Sequence, residues 1–138
     1  MLDKCYKYKL EFKDYIVFIK SGIFYECIGK DALIINKLFN YKIKRVNSTF
    51  KCGFPVRNIS SVTGKLADNN INYIVEDNNL IIDKYETDSN AYSNYNIDID
   101  SLLYRFILIE KIIKYLENNI TNDEIGEKIY GINQLLGI

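Results

Sequence analysis

The amino-acid sequence predicts an α/β (α+β) fold: a mixed β-sheet flanked by helices and followed by a C-terminal helical hairpin. Three observations carry this expectation. Strand-like and helix-like stretches alternate as β-β-α-β-β-α-β-β up to residue 83, the order expected of a sheet with helices on its faces. Residues 84–97 are polar and turn-forming, and read as a linker or mobile loop. From residue 98 onward the apolar spacing is helical only. The expected organisation is a mixed-sheet domain over 1–83, the linker, and a hairpin over 98–138 that serves packing or oligomerisation.

Each element has its own signal. Residues 15–20 and 23–28 are rich in β-formers and meet at Ser21-Gly22, which suits a tight turn. Gly29-Lys30-Asp31 opens a helix with Ala32, Ile35, Leu38 and Phe39 as its apolar stripe, and Asn40 suits its end. Residues 41–46 alternate as a half-buried strand, with Tyr41, Ile43 and Arg45 on one side. Asn47-Ser48 turns the chain into 49–54, and Pro55, the only proline, ends that strand. A helix from about residue 57 to 68 carries Ile59, Val62 and Leu66 on one face, and Asp68-Asn69-Asn70 stops it. Residues 71–75 and 80–82 read as a hairpin turned at 76–79. In the C-terminal segment Leu102, Phe106, Ile109, Ile113 and Leu116 follow 4-3-4-3 spacing. Leu103, Ile107 and Ile112 widen that stripe, so this helix is expected to be buried on more than one side. Thr121-Asn122-Asp123-Glu124 has a capping-box pattern, and Ile125, Ile129, Ile132 and Leu136 line the second helix.

Composition bounds the function. A chain of 138 residues with 48% hydrophobic content supports one domain with an ordinary core. It has 12 Tyr and 7 Phe, but codon bias in an AT-rich genome accounts for abundant Ile, Asn and Tyr, so aromatic richness alone does not argue for stacking on nucleic acid. No 18-residue apolar stretch is present, and the charged N-terminus lacks a signal core, so no membrane span and a cytoplasmic location are expected. Three cysteines without paired spacing read as reduced, mostly buried thiols. The absence of His removes His-based triads and His metal sites. The zero net charge conceals an asymmetry: residues 1–66 hold 13 Lys+Arg and 5 Asp+Glu, a net of +8, and residues 67–138 hold 5 and 13, a net of −8. A basic half suits a polyanion; it also suits attraction between the two halves, within or between chains.

Catalytic chemistry finds little support. Thr63-Gly64-Lys65 invites a P-loop reading, yet Ile59 stands where that loop needs Gly and Leu66 where it needs Ser or Thr. No Cys pair has zinc-ligand spacing. Asp98 and Asp100 suit helix capping better than metal binding. The expectation is a binding module with no metal, no cofactor and no enzymatic activity.

The segment Gly22-Ile23-Phe24-Tyr25-Glu26 stands out within that frame. In a strand, Phe24 and Glu26 share one face, because side chains alternate with period 2. The pair offers a flat apolar wedge beside a hydrogen-bond acceptor, the combination needed to probe base stacking. Taken alone, the pair fits a core Phe beside a solvated Glu better.

The wider pattern resembles the N-terminal mismatch-recognition domain (domain I) of the MutS DNA mismatch-repair proteins, over residues 8–83. The features that match in order are the apolar strand into Gly22, Phe24-Tyr25-Glu26-Cys27, the helix start at Asp31-Ala32, Gly53-Phe54-Pro55, Lys65-Leu66 in the following helix, and Tyr73-Ile74-Val75-Glu76. The resemblance implies a mixed sheet with surrounding helices, in which Phe24 inserts at a mispaired base and Glu26 hydrogen-bonds that base. The basic residues nearest the matched elements, Lys20, Lys51, Arg57 and Lys65, are candidate phosphate contacts by charge and position. Ile23 departs from the acidic residue usual in the family. The clamp, lever and ATPase of the full-length repair proteins have no counterpart, so a stand-alone recognition module is expected. Its partner would be nucleic acid, with duplex DNA favoured and RNA or a hybrid open, and it could serve another nucleic-acid enzyme. The alternative is a protein-interaction adaptor, an accessory to a reverse transcriptase or recombinase for example, in which residues 98–138 dock a protein partner or a second copy as a homodimer.

Overall fold

A computed structural model describes residues 2–138, which divide into two compact units, Met1–Ile99 and Asp100–Ile138. The first unit carries α1 (Leu2–Glu11), β1 (Ile16–Ser21), β2 (Phe24–Ile28), α2 (Lys30–Phe39), β3 (Ile43–Val46), β4 (Thr49–Pro55), α3 (Ile59–Asp68), β5 (Tyr73–Asp77), β6 (Leu80–Tyr85) and the single turn α4 (Ala91–Asn94). A 3-10 turn, Val56–Asn58, precedes α3. The six strands form one sheet in the order β3-β4-β2-β1-β5-β6. Only β1 and β5 pair in parallel, so the sheet is mixed as the sequence predicts.

Register decides which residues share a face. Ile19 lies opposite Glu26, Glu26 opposite Gly53, and Lys51 opposite Lys44. These residues therefore project to one side, together with Phe24, Val17, Ile28 and Ile74. Helix α1 covers part of that side: Cys5 and Phe12 pack with Val17, Ile19, Ile28 and Ile74. Phe18, Tyr25, Cys27, Phe50, Cys52 and Phe54 point to the other side and are almost completely buried. There the Phe54 ring meets Phe18 edge-on at 5.4 Å and stacks on Tyr41 at 5.5 Å. Helix α2 packs on β2 and β4, and α3 contributes Val62 and Leu66 to the same interior.

Helix α1 was not expected from the sequence. Its stripe is narrow, with Cys5 as its only buried residue, so its periodicity is weak among seven polar or charged neighbours and tyrosines. The segment 84–97 also departs from the expected linker. β6 runs on to Tyr85, and Asn72 pins the next residues: its Oδ1 accepts from the Thr87 backbone N–H and hydroxyl, both at 2.9 Å, and its Nδ2 donates to the Thr87 carbonyl at 3.1 Å. Tyr92 of α4 is buried, and its hydroxyl donates to Asp31 Oδ1 at 2.7 Å. The polar side chains of this segment make specific hydrogen bonds to Asn72, just before β5, and to Asp31 of α2.

The second unit consists of α5 (Ile99–Asn118), which starts at the boundary, and α6 (Asp123–Leu136), the two helices expected. Asn122, not Thr121, caps α6, accepting from the Ile125 N–H at 3.1 Å. Neither helix has a fully buried residue. Among the described residues no helix is long and apolar enough to cross a membrane.

Candidate nucleic-acid interface

The β1–β2 turn is Gly22-Ile23, with Ser21 paired to Phe24 across it. Gly22 adopts φ +63° while Ile23 stays at negative φ, the pattern of a two-residue hairpin with glycine first. The turn is anchored: the Val56 N–H donates to the Ile23 carbonyl at 2.9 Å, tying the tip to the end of β4. Strand β2 then alternates. Tyr25 is 3% exposed and Cys27 fully buried on the inner side, whereas Phe24 on the outer side is 44% exposed.

Glu26, one step along that outer side, is recessed. Its side chain is 14% exposed, and the Lys51 ammonium stands 2.8 Å from its Oε2. Gly53 lies directly opposite, where a Cβ would meet Glu26 Cγ in ordinary contact at 3.5 Å, and Lys51, two residues before Gly53, reaches Glu26 diagonally across the strand pair. Phe24, Glu26, Lys42, Lys44, Lys51 and Gly53 line a concavity of about 370 Å³. On its other side Phe24 borders a second hollow with Ile23, Pro55, Val56 and Arg57. The ring is thus a ridge between two hollows, with a carboxylate in the first and cations bordering both.

The six residues singled out from the sequence separate. Phe24, Glu26 and Lys51 come together in one concavity, and Arg57 borders the adjoining hollow. Lys20 does not join them. It lies opposite Tyr25, hence on the other side of the sheet, and pairs with Asp77 at 3.3 Å. Lys65 is engaged as well: its ammonium donates to the Leu38 carbonyl at 2.9 Å and sits 5.1 Å from the Phe39 ring centre, closing the C-terminal end of α2. Proximity along the chain suggested both; strand register and helix capping place them away from the concavity. Lys42 and Lys44 were missed. Their alternation is visible in the sequence, but only the β3–β4–β2 register carries their side of β3 to Phe24 and Glu26.

The remaining polar interior is built for structure. Asp31, 1% exposed, accepts from Lys9 Nζ at 3.1 Å, the Tyr92 hydroxyl and the Val17 N–H at 3.0 Å. Burial pushes its pKa up from the usual carboxylate range, against the pull of Lys9 and the other donors. Burial raises the Cys5 thiol to about 12 and Cys52 to about 11, and lifts Cys27 well above its ordinary value. These are protonated packing groups, not nucleophiles. Among the described residues no cluster of three or more His, Cys, Asp or Glu could hold a metal ion.

Fold and site together define an α+β domain whose mixed sheet presents an aromatic–carboxylate hairpin beside a lysine-lined hollow. The family model described as MutS domain I matches residues 1–97, and the chain belongs to that family. The match extends at both ends beyond the stretch 8–83, taking in the start of α1 and the segment that carries Thr87 and Tyr92. No curated protein matches the chain.

Proposed function

We propose that this protein is a nucleic-acid-binding module that senses mispaired or otherwise distorted duplex DNA through Phe24 and Glu26, without a chemical step of its own. The observation that carries the reading is the half-exposed Phe24 ring standing beside the recessed Glu26 carboxylate in a hollow edged by Lys42, Lys44 and Lys51. The ring stacks where a base pair is weakened, the carboxylate accepts from the displaced base edge, and the lysines hold flanking phosphates. Stacking on one base contributes roughly 1–3 kcal/mol. Opening a base step costs about a few kcal/mol, least where pairing is already defective. The wedge therefore gives preference rather than tight binding, and the lysines supply most of the affinity.

Fluorescence anisotropy with labelled duplexes tests this: one perfect, one with a single mispair, one with a single unpaired nucleotide. The wild type is expected to bind the distorted duplexes more tightly than the perfect one. Phe24→Ala should abolish that preference, a loss of about five- to a hundred-fold on the distorted duplexes if the stacking contribution disappears. Equal wild-type affinity for all three would overturn the reading.

One observation favours a second role for Asp100–Ile138. Its helices expose Tyr104, Leu108, Ile112, Ile113, Tyr115, Ile132 and Leu136, and bury nothing fully. A helix apolar on nearly all sides belongs in an interior. We take its occupant to be a second copy, because both stripes have the spacing of helical bundles.

A further inference from the structure

We infer that Lys51 is a latch on Glu26, released when a phosphate enters the hollow, so that phosphate engagement and base reading are coupled; this rests on the reading above. Three features build the latch. The Lys51 ammonium lies 2.8 Å from Glu26 Oε2, and both side chains are partly withdrawn from water, at 29% and 14% exposure. Gly53, opposite Glu26, places no side chain beside the pair. Lys44 lies directly across from Lys51 and lines the same hollow, as does Lys42. Like charges directly opposite on neighbouring strands are unfavourable, and in this protein Glu26 is the anion that offsets them.

A phosphate changes that balance. It offers Lys51 and Lys44 together a charged acceptor with several oxygens, where Glu26 pairs with Lys51. When Lys51 turns to it, Glu26 loses its counter-ion and its Oε2 becomes available to a donor on an exposed base edge. Against a perfect duplex no such donor reaches Glu26. Moving Lys51 there would leave a carboxylate unpaired beside a polyanion, so the latch stays shut. Lys51 therefore contributes a phosphate contact on distorted duplex and not on perfect duplex.

Salt dependence reads this directly, because each phosphate contact steepens the log–log slope of affinity against salt by about 0.9 on B-form DNA. For the wild type, the slope on the unpaired-nucleotide duplex should exceed that on the perfect duplex by about one contact. Glu26→Gln releases Lys51 permanently, and should steepen the perfect-duplex slope until the two agree. Lys51→Met should make the two slopes agree at the shallower value. Equal wild-type slopes, both made shallower by Lys51→Met, would show a permanent phosphate contact and overturn the latch. Slopes unmoved by either substitution would show a purely structural pair and overturn it equally. No binding to any duplex at low salt would overturn the latch together with the functional reading. A failure of the mismatch reading alone is distinguishable: Phe24→Ala would leave the preference for distorted duplex intact while the wild-type slopes still differed and Glu26→Gln still steepened the perfect-duplex slope. Unchanged thermal melts of both variants exclude misfolding as the cause.

Discussion

At the scale of single residues, the most consequential interior group outside the interface is Asp31. Its carboxylate joins α1 through Lys9, β1 through the Val17 N–H and α4 through Tyr92. Removing it by Asp31→Ala leaves the Lys9 ammonium without its counter-ion and the Val17 N–H without its acceptor, and should destabilise the protein by roughly 3 kcal/mol or more in urea titration. Its ionisation has a sign that can be worked out. Burial raises its folded pKa above the unfolded value, so the folded state holds the proton more tightly. The stability this contributes is fully present below the unfolded pKa, about 4, and is lost as pH rises through the folded value. Asp31→Asn cannot ionise. Wild-type stability relative to Asp31→Asn should therefore fall as pH is raised from about 4. A difference that does not change with pH, or that rises, would refute the assignment.

At the scale of elements, the turn that carries Phe24 depends on a conformation that side chains resist. Gly22 sits at φ +63° with open space where a Cβ would go, so a substitution meets backbone strain and no clash. Gly22→Val should cost about 1–2 kcal/mol, and because the turn fixes where Phe24 emerges, it should also weaken preference for distorted duplex. A thermal melt and the anisotropy assay measure the two effects. Asparagine does the same conformational work elsewhere. All five positive-φ residues other than glycine among the described residues are asparagines: Asn40, Asn47, Asn70, Asn78 and Asn79. Asn78-Asn79, both at positive φ, make the β5–β6 turn a tight two-residue hairpin in place of the wider 76–79 turn expected. Glu76 is thereby freed from the turn, becoming fully buried in β5, where it accepts from the Asn79 N–H at 2.8 Å and faces Lys4 of α1 at 3.4 Å.

At the scale of the whole molecule, the helical unit makes a separate prediction. If a second copy covers the apolar sides of α5 and α6, light scattering should give twice the chain mass at micromolar concentration. The pair Leu108→Glu and Ile112→Glu, both on the exposed side of α5, should return it to the monomer without changing the melting of the first unit. A wild-type monomer at every concentration would remove the self-association reading and leave the interface untouched, since Phe24, Glu26 and their lysines all lie within Met1–Ile99.

Much of this was legible in the linear chain, for a local reason. Strand alternation, helical spacing and the residues able to turn the backbone are properties of short windows, and they placed β1 through α3, both C-terminal helices and the Phe24–Glu26 face. The ordered motifs between Gly22 and Glu76 added the family. What a short window cannot hold is which strand lies beside which, and by how many residues each is offset. That register brought Lys42 and Lys44 to Glu26, set Lys51 on its carboxylate and turned Lys20 to the other side of the sheet, while a contact between helices gave Lys65 to the end of α2. It also recruited Thr87 and Tyr92 into the domain through partners more than a dozen residues away. The aromatic–carboxylate pair was written in the sequence because two residues suffice to make it; the charged hollow around it was decided by the tertiary fold, because pairing between distant strands fixes which cations a carboxylate meets.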